Sequence, residues 1–181
     1  MVYARMLSAA SLIGLVTVPG CLQETPDVDG SVPGDPIGIY RVDATLVESS
    51  CGAGAAEAPD TWKFEVKLSR SKRKLYWNNG RESIEGKIAD DGVTFDFDTA
   101  VAAEVRETKP GRPGCTLWRR DQVHGTLAPA KDDEVAGFDG ALAYTFAAGE
   151  NSQCAEDVTE LGLSQLPCTI TYRLRAVRLP K

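Results

Sequence analysis

The chain has 181 residues, 43% hydrophobic and 25% charged, with a formal charge of −6 at pH 7. That composition supplies a packed core and lacks the Lys/Arg excess that nucleic acid requires, so no nucleic-acid role is expected. Five cysteines without Cys-x-x-Cys spacing, and a single histidine, His124, give no zinc pattern, so neither metal nor cofactor is expected.

Residues 1–20 read MVYARMLSAASLIGLVTVPG. One positive charge, Arg5, precedes a mostly apolar run over residues 6–18. The run is shorter than the ~20 residues that span a bilayer, and charge, apolar run and small residue follow the order of a signal peptide. Val18-Pro19-Gly20-Cys21 then resembles the cleavage site of bacterial lipoproteins, whose signal peptidase cuts before a cysteine that carries lipid. The resemblance implies a lipid on Cys21. With Leu22 rather than aspartate next, it favours the outer membrane over the inner one. Residues 21–36 are rich in Pro, Gly and Asp and read as a flexible tether. Residues 37–181 make one domain by length.

The domain alternates with period two, the mark of strands with one buried face. In residues 39–47, Tyr40, Val42, Ala44 and Leu46 share a face. Residues 61–69 turn Trp62, Phe64, Val66 and Leu68 inward, and residues 74–77 make a short third strand. Asn78-Asn79-Gly80 turns the chain, Ile84, Gly86 and Ile88 define a fourth strand, and Asp90-Asp91-Gly92 turns it again. Residues 93–105 hold one parity through Phe95, Phe97, Val101 and Val105 and read as one long strand. Residues 116–128 follow, with Val123, Gly125 and Leu127 inward, while Trp118-Arg119-Arg120-Asp121 is too polar to assign a face. Residues 138–146 and 169–179 complete about eight strands, the last slipping out of alternation at Val177 and Leu179. No long helix is predicted, although a helical turn fits residues 157–161. The pattern predicts an all-β fold, an antiparallel up-and-down barrel closed between first and last strands, with a β-sandwich as the alternative. The outline is similar to that of lipocalins in strand count and order alone; Gly38-Ile39-Tyr40 stands where that family carries Gly-x-Trp.

If Cys21 holds lipid, Cys51, Cys115, Cys154 and Cys168 remain for two disulfides, which suit an oxidising compartment. Up-and-down order puts all four at one end, with the loops 48–60, 78–82, 107–114 and 147–167, and brings the tether in at the other. Neighbouring strands favour Cys51–Cys168 and Cys115–Cys154. The pairing Cys51–Cys115 with Cys154–Cys168 stays open.

No nucleophile elbow, phosphate loop or calcium loop is present. His124 falls on an outer face, and Asp96 and Asp98 read as solvated carboxylates. No enzymatic activity is expected. The inward aromatics predict a barrel filled by its own side chains, or one holding a small apolar ligand. Trp77 and Trp118 are placed near the loop end as a binding rim. The function expected is that of a monomeric, non-catalytic envelope lipoprotein. It would be anchored through Cys21 and bind an envelope protein or polymer through disulfide-pinned loops. Carriage of a small apolar ligand is the alternative, and an enzyme of unknown type the third reading.

Overall fold

The computed structural model describes residues 33–55, 58–80, 82–130 and 134–180. The stretch read as a signal peptide, Cys21 and the stretch read as a tether up to residue 32 lie outside the described residues. Eight antiparallel strands close a barrel in sequence order. They are β1 (Asp35–Ser49), β2 (Thr61–Ser71), β3 (Lys74–Asn78), β4 (Ser83–Ile88), β5 (Thr94–Arg106), β6 (Cys115–Pro129), β7 (Val135–Ala148) and β8 (Cys168–Arg178). β1 reaches back to Asp35, so the last two residues of the stretch read as tether are paired in the sheet, Asp35 with Arg70 and Pro36 with Ser69.

Closure runs along β1 and β8, from Tyr40 opposite Arg178 to Ser49 opposite Ile170. The irregularity in this ladder lies in β1, between Leu46 and Glu48. β8 stays in register with β7 through Val177 and ends at Arg178. The loss of alternation there has a local cause. The inward end position is held by Arg178, whose guanidinium meets Glu134 at 2.8 Å under the barrel floor, and Val177 turns out to solvent.

Among the described residues alternation places ten aromatic rings inside, and all but Phe146 form one series of ring contacts from floor to mouth. Tyr40 touches Phe138, and Phe138 meets Phe95 and Trp77. Trp77 meets Phe97 and Phe64, Phe64 stacks on Trp62 at 4.4 Å, and Trp62, Tyr172 and Tyr144 form the top of the series. The lower barrel is therefore filled by side chains. Inward glycines make room for the rings: a Cβ on Gly125 would lie 2.5 Å from the Phe95 ring, and one on Gly86 would strike Phe97.

The wall is not of even height. β3 pairs with β2 only from Lys67 to Ser71, and β4 pairs with β5 only at Phe95, Asp96 and Phe97. Above that short hairpin the edges of β2 and β5 face one another with no strand between them among the described residues. By contrast, β5, β6 and β7 rise together, paired from Asp98–Gln122 to Glu104–Thr116 and from Gln122–Ala143 to Leu117–Ala148.

Candidate functional site

The tall end of the barrel gathers the cysteine loops. Cys51–Cys168 joins β1 to β8, and Cys115–Cys154 joins the start of β6 to the loop after β7. Both bridges lie at the end opposite Asp35, where the chain enters. A polar clamp reinforces the second. Arg106, with a side chain 13% exposed, donates to Asp157 at 3.1 Å, Glu156 at 3.2 Å, the Gln153 carbonyl at 2.6 Å and the Pro113 carbonyl at 3.2 Å. Charge-assisted bonds at low exposure are the strong kind, so Arg106 ties the β5–β6 turn to the β7–β8 loop. That loop makes the helical turn read in the sequence, with Leu161 N–H donating to Asp157 O, and buries Val158 and Leu163 against the mouth.

Beside this lid the mouth keeps a pocket of about 210 Å3, lined by Ala58, Pro59, Trp62, Tyr144, Phe146, Ile170 and Tyr172, with Arg119 on its lip. Arg119 grips Asp121 with two bonds of 2.8 Å, and its guanidinium carbon stands 5.4 Å from the Tyr144 ring centroid. Arg119 and Asp121, whose faces were unassigned in the sequence, thus point inward. They tolerate the inner side because the mouth there is wet. Burial pushes the Tyr144 hydroxyl up to about 12; the Asp121 charge adds to the rise and Arg119 opposes it. Tyr172 is raised by burial, then by Asp60, and donates to the Pro59 carbonyl at 3.1 Å. Both hydroxyls are therefore neutral at pH 7. The pocket can take an apolar ring-sized group with hydrogen bonds at its lip.

Of the two rim tryptophans, the structure keeps one at the surface. Trp118 is 45% exposed on the outer face, between Ala102 of β5 and Ala147 of β7. Trp77 is 8% exposed and belongs to the core. The rim placement fails for Trp77 because β3 is short: it stands opposite Leu68 and Ile84, level with the lower core. The end of that strand is not the end of the barrel.

The disulfide pairs are those that neighbouring strands favoured. His124 lies outside, its Nδ1 2.6 Å from Asp96. Asp98 is held well below the usual carboxylate range by its two-pronged contact with Arg120. A lowered carboxyl is the reverse of a general acid working at neutral pH. Among the described residues, no three His, Cys, Asp or Glu side chains are grouped to hold a metal ion.

Sequence reasoning missed the Arg106 clamp and the open edge of β5. The first is a contact at long sequence separation with no local signal. The second had a signal, because the strand over residues 93–105 was read as far longer than the fourth strand it follows. No protein-family model, curated protein or solved structure matches the chain.

Proposed function

We propose that the protein is a non-catalytic binding domain of the bacterial cell envelope, held by a lipid on Cys21 and docking an envelope protein or polymer through its disulfide-pinned end. One observation supports it above the rest. The disulfide-pinned end away from the tether presents exposed apolar groups on two faces, Trp118 (45%) outside and Val101 (53%) inside, with Val105 (36%) at the irregularity that ends β5. Side chains that large at a pinned, distal end suit a contact surface. The filled lower barrel argues against a deep ligand store. The test is expression with export, followed by fractionation and photo-crosslinking from position 118 in intact envelopes. Membrane retention lost in Cys21→Ala and a discrete adduct at position 118 are expected. Soluble protein in the presence of intact Cys21, or no adduct, overturns the reading.

A second reading is favoured by the mouth pocket alone: a small ligand seated against Trp62, Tyr144 and Tyr172. Native mass spectrometry of the folded domain decides it. A bound mass of a few hundred daltons that leaves on denaturation supports a carrier at the mouth; a bare chain removes that reading.

A further inference from the structure

We infer that the open edge of β5, over residues 98–104, takes up an extended segment of a partner protein as an added strand, with apolar residues turned to the barrel interior and basic residues turned outward. The inference rests on the reading of this end as a docking surface and names what docks there.

β5 runs from Thr94 to Arg106, yet β4 pairs with it only up to Phe97. The other side of β5 is bonded to β6 along nearly its whole length. In such a strand every second residue directs its N–H and C=O away from the partner. Beyond the Gly86–Phe97 pair β4 runs on to Ser83 bonded to β3 alone, and Ala100, Ala102 and Glu104 turn their backbone donors and acceptors to an edge without a bonded strand. Proteins blunt such edges with inward charges, proline or short length. This edge has none of those over Thr99-Ala100-Val101-Ala102-Ala103, and residues 100–105 are all exposed. The one interruption is the irregularity between Glu104 and Arg106, which ends the regular edge at its upper limit. An exposed, apolar, regular edge is the feature that strand addition uses.

The two faces of the edge define the occupant. On the inner side stand Thr99, Val101 and Ala103, and across the gap Trp62 and Phe64 of β2 are only half-buried. A strand laid there would cover them with apolar side chains. On the outer side the apolar Ala100 and Ala102 lie between Asp98 and Glu104. A groove of about 560 Å3 lined in part by Glu104, Arg106 and Glu150 opens on the β6 side of β5, so of its charged groups Glu104 is the one carried by the strand the segment would join. Asp98 is already held by Arg120, whereas no ion pair engages Glu104 among the described residues. Lys or Arg on the outer face of the added strand complements Glu104. A second copy of this chain fits less well. The chain carries −6, and pairing the whole edge with itself sets Asp98 opposite Glu104 twice.

The test uses the exported, disulfide-bonded protein and a short blocked peptide alternating Val and Lys. The comparators are a Val/Glu peptide of equal length and the Val/Lys peptide N-methylated along one edge. Binding at least about ten-fold tighter for Val/Lys than for Val/Glu is expected, together with slowed amide exchange confined to residues 98–104. N-methylation is expected to abolish both, and Glu104→Lys to erase the preference over Val/Glu without unfolding the protein. Equal affinity for the two charged peptides, or exchange at β5 left unchanged by a peptide that binds, overturns the inference. So does a dimer in which these amides are already protected without peptide. An envelope adduct at position 118 with no peptide effect on β5 would leave the docking reading standing and reject strand addition alone.

Discussion

The lower and upper halves of the barrel use the same strands under different conditions. In the lower half all eight strands are present, so an inward side chain meets an opposite wall: Tyr40, Phe95 and Phe138 are 0–1% exposed. In the upper half β3 and β4 have ended, and the inward positions of β5 and β6 face a gap or a wet mouth. Val101 is inward and 53% exposed, and Arg119 is inward and charged. Strand parity fixes a direction. Burial needs something on the other side. The closed half resembles a core and the open half resembles an interface, and the expected effects of substitution divide along that line.

The largest effect belongs to the closed half. Trp77→Ala removes a ring that touches Phe64, Phe97 and Phe138 and leaves a hole between full walls. A loss of about 3–5 kcal/mol is expected, read as a lower denaturant midpoint at unchanged slope. A loss below about 1 kcal/mol would mean that the rings reach one another only loosely and that the contrast between halves is wrong.

Next come the bridges that hold the open half. Replacing Cys51 and Cys168 together by Ala, or Cys115 and Cys154 together, is expected to remove roughly 2–4 kcal/mol each. The sequence separations are 117 and 39, and the shorter loop is nested in the longer. Each variant keeps one bridge, so the loops compared differ three-fold in length, and chain entropy makes the outer bridge worth about 1 kcal/mol more. Unfolding of the two paired variants measures the difference. A much larger loss for the inner pair would show that the Arg106 clamp depends on it.

The third effect sharpens the boundary between halves. Tyr144 stands at the wet lip, yet its hydroxyl is raised from 10.0 to about 12. A raised pKa means that the folded state holds its proton more tightly than the unfolded chain. Its contribution is complete below pH 10.0 and lost as pH climbs to about 12. About 1–2 kcal/mol is expected in that window after allowance for solvent screening at a partly exposed ring. Tyr144→Phe should flatten the fall in stability across it. Tyr40 and Tyr172, raised in the same direction, keep some slope in the variant. Tyrosinate absorbance in the two proteins separates the shares.

Much of this fold was written in local pattern. Alternation in Trp62-Lys63-Phe64-Glu65-Val66 places side chains in a strand without reference to anything distant, and cysteines next to neighbouring strands leave few sensible bridges. Height was not local. Whether Trp77 tops a wall or sits in mid-core depends on how far β2 and β5 run beyond β3 and β4, which only the register of the assembled sheet determines. Arg119 and Asp121 were illegible for a related reason. A polar pair on an inward parity contradicts a dry core, and the sequence alone does not say that the core stops below them.

The smallest expected effect on stability tests the comparison most directly, because it concerns the same residue type as the largest. Trp118→Ser removes an indole from the outer face of the open half, where it rests on Ala102 and Ala147 and is 45% exposed. Surface changes of this kind fall within about 0.5 kcal/mol, so the unfolding curve should barely move. Capture of an envelope partner is expected to drop by ten-fold or more, since a large exposed aromatic is the type of residue that anchors an interface. Two tryptophans, one essential to stability and silent in binding, the other the reverse, would establish that the barrel's closed half carries the fold and its open half the contact. Equal stability losses for Trp77→Ala and Trp118→Ser would instead place both in one continuous core and remove the rim from the proposed docking surface.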